Sequence, residues 1–141
     1  MIDMNIDSAT AGSVEPSWIE GWDGLRVLHV DGDGDAALVL APLLVPEAQV
    51  THVATLGAAA RAIRAQRYNL LVLDPDLPDG DGAALLEVLK FVDQPTPVLL
   101  YAGRDTVWPG ATSAMLLKCS TSPRQLWTKV SQLLAAGERH P

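Results

Sequence analysis

Seven aspartates of this 141-residue chain fall in two short segments: Asp31, Asp33 and Asp35 in VDGDGD, and Asp74, Asp76, Asp79 and Asp81 in LDPDLPDGDG. Each segment follows directly on an apolar run, LRVLHV from Leu25 to Val30 and LLVL from Leu70 to Leu73. Carboxylates brought into one crevice repel one another, and either a raised pKa or a bound hard cation such as Mg²⁺ relieves the repulsion. A fixed positive charge is the second requirement, and Lys118, immediately after the apolar segment SAMLL, supplies one. Two acids, one amine and a divalent cation make a site for phosphoryl chemistry, with Asp74 placed to accept the phosphoryl group.

Such a site needs elements that bring its parts to one edge. Leu25 to Val30 reads as a first strand and Ala36 to Val45 as a first helix, shortened or kinked by Pro42. Gln49 to Ala54 is a second strand, and Thr55 caps a helix LGAAARAIRAQR with Leu56, Ala59, Ala60 and Ile63 on one face. Leu70 to Leu73 is continuous and apolar, as expected of a central parallel strand covered on both faces. Ala83 to Val92 predicts a third helix and Pro97 to Tyr101 a fourth strand. Gly103 to Thr112 (GRDTVWPGAT) then reads as loop where the alternation calls for a helix. Ser113 to Leu117 is a fifth strand, and Ser122 with Pro123 opens a last helix carrying Leu126, Val130, Leu133 and Leu134 on one stripe. The expected fold is α/β: a doubly wound, five-stranded parallel sheet of flavodoxin-like order 2-1-3-4-5, with the helix after the fourth strand shortened or missing. In that order the first and third strands are neighbours. Asp31 and Asp74 therefore face each other across the crevice at the carboxyl ends of the strands, within reach of Lys118.

Composition narrows the function. The chain carries ten Lys and Arg against seventeen Asp and Glu, a net charge of −7, so its field repels nucleic-acid backbones and argues against direct nucleic-acid binding. The one cysteine, Cys119, has no thiol partner and reads as a small hydrophobe. The longest apolar run, Ala36 to Val45, is far below the ~20 residues of a membrane span. The first residues lack the basic and apolar regions of a signal peptide. These features predict a soluble, cytoplasmic protein with no membrane partner, organised as a flexible acidic leader over 1–23, anchored if at all by Trp18 and Trp22, and one domain over 24–137.

In its residues from Leu25 to Leu134 the chain resembles the receiver domains of two-component response regulators. The most specific piece is Asp74-Pro-Asp76-Leu77-Pro78-Asp79-Gly80-Asp81-Gly82, which is similar to the family's acceptor aspartate, proline and acid-glycine pair opening the third helix. Val30-Asp31, Tyr101-Ala102 and Lys118 fall at strand ends in family order. The resemblance implies a phosphorelay role. Asp74 would attack a phosphohistidine on a histidine kinase or phosphotransfer protein, and Mg²⁺ would bridge Asp31, Asp74 and the backbone carbonyl of Asp76. Lys118 would pair with the phosphoryl oxygens, and the domain would regulate a downstream effector protein or domain or a second copy of itself. It implies no enzymatic turnover beyond self-dephosphorylation.

The chain also departs from the pattern. Gly32 stands where a second consecutive acid is usual, which predicts weak Mg²⁺ binding with Asp33 or Asp35 as the nearest substitute. Tyr101 replaces a small hydroxyl residue, Met115 an aromatic switch residue three positions before Lys118, and Cys119 a proline. The segment between Ala102 and Lys118 is shorter than usual. These features predict an atypical receiver and leave a second reading open, a degenerate pseudo-receiver that acts as a phosphorylation-independent interaction module.

Other chemistries fit less well. Asp74-Pro-Asp76 resembles the Asp-x-Asp of haloacid-dehalogenase-like phosphatases, but that motif normally follows the first strand of a longer chain. Gly32-Asp-Gly34-Asp-Ala-Ala37 fits a relaxed dinucleotide fingerprint, yet its aspartates would repel a pyrophosphate. Asp31-x-Asp33-x-Asp35 has calcium-loop spacing, but Ala36 and Pro42 occupy the positions of the required glycine and bidentate acid. His29 and His52 read as packing residues within strands, and Trp108 as a loop contact residue rather than a packing anchor.

Overall fold

A computed structural model describes residues 24–45, 47–92, 96–109 and 112–138. The expected leader over 1–23, with Trp18 and Trp22, lies outside the described residues. Among the described residues seven strands and four α-helices follow in chain order: β1 (Leu25–Val30), α1 (Gly34–Leu44), β2 (Ala48–Val53), α2 (Leu56–Ala65), β3 (Leu70–Leu73), β4 (Asp76–Leu77), β5 (Gly80–Asp81), α3 (Leu85–Phe91), β6 (Val98–Ala102), β7 (Ala114–Leu117) and α4 (Pro123–Glu138). The five long strands form one parallel sheet of order β2-β1-β3-β6-β7, which is the expected 2-1-3-4-5 sequence of strands. The two short strands are an unforeseen antiparallel hairpin, with Asp76 opposite Asp81 and Leu77 opposite Gly80. Its turn needs Gly80, whose φ of 152° side chains rarely adopt.

Alternation along the strands feeds two cores. Val27, Leu70, Val72 and Leu99 point to one face and pack with Leu40 and Leu44 of α1 and Leu126, Val130 and Leu134 of α4. Leu28, Val30, Leu71, Leu73 and Leu100 point to the other, against Ala59 and Ile63 of α2 and Leu85 of α3. All four residues of β3 are buried because helices cover both of its faces, which is why its sequence is continuously apolar.

The starts of α1, α2 and α4 are fixed by polar side chains. Asp33 caps α1 through the Asp35 amide, and Thr55 caps α2 through the Ala58 amide at 3.1 Å. At α4, Ser122 and Gln125 exchange bonds, Gln125 N donating to Ser122 Oγ at 3.1 Å and Ser122 N to Gln125 Oε1 at 2.7 Å. Pro42 does not break α1, which runs on to Leu44. The carbonyl it deprives of a donor belongs to exposed Leu38. The expected helix over Ala83 to Val92 divides into a 3₁₀ turn, Gly82–Ala84, and α3. The chain is folded back tightly there: Gly82 N donates to Pro75 O at 2.8 Å, and a Cβ on Gly82 would lie 3.0 Å from Pro75 Cα.

Among the described residues no helix joins β6 to β7. Its place on the α2/α3 face is taken by Trp108, which packs against that core with Met115. Trp108 is therefore a packing anchor, contrary to the expectation of a contact residue. Thr112 closes the segment, its hydroxyl reaching the carbonyls of Val98 and Ala114 at 3.0 and 2.9 Å.

Candidate functional site

Two backbone bonds carry the sheet one residue beyond its strands. Asp31 N donates to Val53 O at 3.0 Å and Asp74 N donates to Val30 O at 2.9 Å. The carboxylates of Asp31 and Asp74 thus start from the carboxyl ends of adjacent strands, at 0% and 7% exposure. Lys118, at the end of β7, reaches across β6 to both. Its Nζ lies 2.8 Å from Asp31 Oδ2, 3.0 Å from Asp31 Oδ1 and 2.9 Å from Asp74 Oδ2. Backbone amides hold the remaining geometry: Asp33 N donates to Asp31 Oδ1 at 2.8 Å, and Asp76 N to Asp74 Oδ1 at 2.9 Å.

Burial pushes the Asp31 carboxyl up, but contacts from His29, the Lys118 ammonium and the Asp33 amide outweigh it and leave the pKa below the ordinary 3.8. Burial likewise pushes Lys118 down, and its two carboxylate partners outweigh that and raise it. Tyr101 is buried in the core on the α1/α4 face, and Lys118 Nζ sits over its ring at 5.7 Å from the centroid, within reach of a cation–π contact. Burial raises the Tyr101 phenol, partly offset by Lys118.

The other aspartates do different work. Asp33 caps α1 and Asp35 lies exposed in its first turn. Asp79 accepts from the amides of Leu56 and Gly57 at 2.7 and 3.1 Å, tying the β4–β5 hairpin to the start of α2. Asp81 accepts from Ala83 N at 2.9 Å. Asp76 is gripped by Arg104, Nε to Oδ2 at 2.9 Å and Nη2 to Oδ1 at 3.0 Å, and this pairing holds its carboxyl below the usual range. Met115 is half-buried on β7, and Cys119 is exposed rather than packed as a small hydrophobe.

Three residues stand at the site without belonging to either acidic segment or to the end of a strand. Arg104 lies in the loop after β6, whose path no local pattern sets. His29 and His52 occupy directly paired positions on β1 and β2, rings 5.6 Å apart. His52 Nε2 lies 2.7 Å from the Asp31 carbonyl, which can only accept, so that nitrogen carries the proton. His29 is fully buried with Nε2 3.4 Å from Asp31 Oδ2, and neither of its ring nitrogens has a hydrogen-bond partner. The spacing His29-x-Asp31, with pleat alternation, is the signal that would have placed it beside the acid.

The Mg²⁺ set implied by the sequence can be tested against these positions. Only Asp31 and Asp74 bring carboxylates into the crevice, and the Lys118 ammonium already lies between them. Beyond these two carboxylates the implied set has only the backbone carbonyl of Asp76: Gly32 supplies no side-chain ligand, Asp33 is engaged at its helix and the Asp76 carboxylate is engaged by Arg104. Among the described residues no three His, Cys, Asp or Glu side chains form a metal-binding group. With the ammonium between the two carboxylates, the residues as arranged leave no place there for a divalent cation.

Comparison with known proteins gives the fold a context. No family model matches the chain. Two-component response regulator ORR24 of Oryza sativa, in both subspecies indica and japonica, is 38% identical over 96 residues, covering 63% of this chain and 15% of the relative. The chain therefore spans a small part of the curated relatives it matches. Solved structures of similar fold include the signal receiver domain of a putative Luxo repressor protein from Vibrio parahaemolyticus, with a TM-score of 0.73 at 24% identity over 82% of this chain and 93% of that one. A CheY-like receiver domain from Methanospirillum hungatei gives 0.72 at 24% identity over 82% and 98%. A two-component response regulator from Clostridium difficile gives 0.69 at 21% identity over 79% and 96%. The chain has the fold of response-regulator receiver domains, and the resemblance read from its motifs is borne out.

Proposed function

We propose that residues 24–137 form a receiver module of a two-component pathway, with Asp74 as phosphoryl acceptor. The observation that carries this reading is the setting of Asp74: nearly buried at the end of a central strand, one oxygen on the Asp76 amide and the other 2.9 Å from Lys118 Nζ. A carboxylate oxygen of Asp74 attacks the phosphorus of a phosphohistidine on a kinase or phosphotransfer protein. The O–P bond forms as the P–N bond breaks, and the imidazole nitrogen keeps the electron pair. Lys118 offsets the charge that arrives, and the rearranged ion pairs alter the surface offered to a downstream effector. An acidic chain with no membrane-spanning helix among its described residues suits a cytoplasmic relay.

Intact mass spectrometry after incubation with acetyl phosphate tests the acceptor. One added phosphate is expected, absent in Asp74→Asn. An unlabelled wild type, or a label that persists in Asp74→Asn, removes Asp74 from the role. Sustained hydrolysis of a generic phosphate ester, lost in Asp74→Asn, would favour a phosphatase instead.

A second reading is favoured by the Lys118 bridge itself, which leaves Asp31 and Asp74 already paired. A pseudo-receiver would bind its partner in this closed state. Asp74→Asn would then leave partner binding intact.

A further inference from the structure

We infer that this domain carries its own cation: the Lys118 ammonium occupies the position between Asp31 and Asp74 that a divalent ion would need, and the site works without metal. The clause on working without metal rests on the acceptor role proposed for Asp74, whereas the occupancy by Lys118 stands on geometry.

Three observations converge on it. The ammonium makes close contacts with both carboxylates, 2.8 Å to Asp31 and 2.9 Å to Asp74. The position that could add a third carboxylate is Gly32, which has no side chain, and a Cβ there would lie 3.1 Å from Pro78 Cδ, so the Pro78 ring would have to give by a few tenths of an ångström to admit one. The remaining nearby acids are held elsewhere, Asp33 at the start of α1 and Asp76 by two bonds from Arg104.

Charge balance explains why these features belong together. Two carboxylates against one ammonium leave a single negative charge in the crevice, and the Asp76–Arg104 pair at the rim is neutral. A third acid would leave two negative charges and call for a divalent ion. With glycine at position 32, a single lysine comes close to balance, and a metal ion would have to expel that lysine while gaining only two carboxylates and carbonyl or water ligands.

Mn²⁺ is the probe, with free ion followed by its electron paramagnetic resonance signal. The wild-type protein should leave the signal undiminished up to about 1 mM, the weak end of carboxylate cation sites. Lys118→Met, which keeps most of the length of the side chain and removes its charge, should deplete it. Gly32→Asp is the second variant and should gain affinity to the extent that Pro78 yields. Wild-type depletion that Asp74→Asn abolishes would overturn the inference. Acetyl phosphate labelling is then compared in Mg²⁺ and in EDTA. Equal labelling supports metal-free chemistry. Labelling only in Mg²⁺ overturns the inference while the acceptor role of Asp74 stands. No labelling in either, with the Mn²⁺ signal unchanged, overturns the acceptor role and the metal-free chemistry but keeps Lys118 as the resident cation.

Discussion

Asp31 and Asp74 share a residue type and a sequence neighbourhood with Asp33, Asp76, Asp79 and Asp81, but the two sets lie in different media. The first pair is buried at strand ends and shares one ammonium, whereas the second set is exposed and is spent on amides and an arginine at the rim. Two residues of displacement along the chain decide the outcome. A carboxylate directly at the end of a parallel strand inherits the strand's burial, and one two residues further on meets the free amides of a turn or helix start. Acid-rich segments therefore say little until the strand ends are located.

The contrast can be broken most forcefully through Lys118. Lys118→Ala leaves two buried carboxylates with no shared counter-charge, and it should lower the unfolding free energy in urea at pH 7 by about 3 kcal/mol. Its cost should shrink in acid, as the carboxylates take up protons. A small loss at neutral pH would mean that the crevice is wetter than its exposure indicates.

The pH profile sharpens the same distinction. Asp31 has a folded pKa below 3.8, so the stability it contributes is present above that value and is lost as pH falls further. Lys118 has a folded pKa above 10.5, so its contribution is present below that value and lost as pH rises beyond it. Urea midpoints should hold between these limits as far as these two groups are concerned. Below 3.8 stability should fall with a slope of up to about 1.4 kcal/mol per pH unit for one proton, and Asp31→Asn should remove that part of the acid limb.

Smaller effects are expected at the rim. Asp33→Ala removes the cap of α1 and should cost about 1 kcal/mol by urea unfolding, with no change in phosphodonor labelling. Arg104→Ala should leave the urea midpoint where it is, because its pair with Asp76 is exposed and screened, at 73% and 47% for the two side chains. A marked destabilisation would show that the β6–β7 loop depends on that pair.

The convergence of Asp31, Asp74 and Lys118 was legible in the sequence because strand order alone carries three strand ends to one edge, and apolar runs mark the strand ends. The five strands follow from the same runs, and their order from the flavodoxin-like pattern that a doubly wound sheet takes. Arg104 was not legible, since a loop without periodicity gives no direction to its side chains. The β4–β5 hairpin was hidden in a turn sequence whose strands are two residues long. Trp108 reads as a surface residue because its loop sequence has no periodicity, and its packing follows from the bare sheet face that no helix covers among the described residues. His29 reads as a packing residue in a strand, and its position beside Asp31 emerges only from the pleat.

That substitution of a loop and one indole for a helix sets how the sheet opens. β3 is buried along its whole length, whereas β7 is half-buried and, among the described residues, paired only to β6. Amide hydrogen exchange should therefore be slowest in β1 and β3 and faster in β7, with the β6–β7 segment the first to exchange. Lys118 is attached to this less protected edge, so each local opening of β7 would also withdraw the ammonium from Asp31 and Asp74.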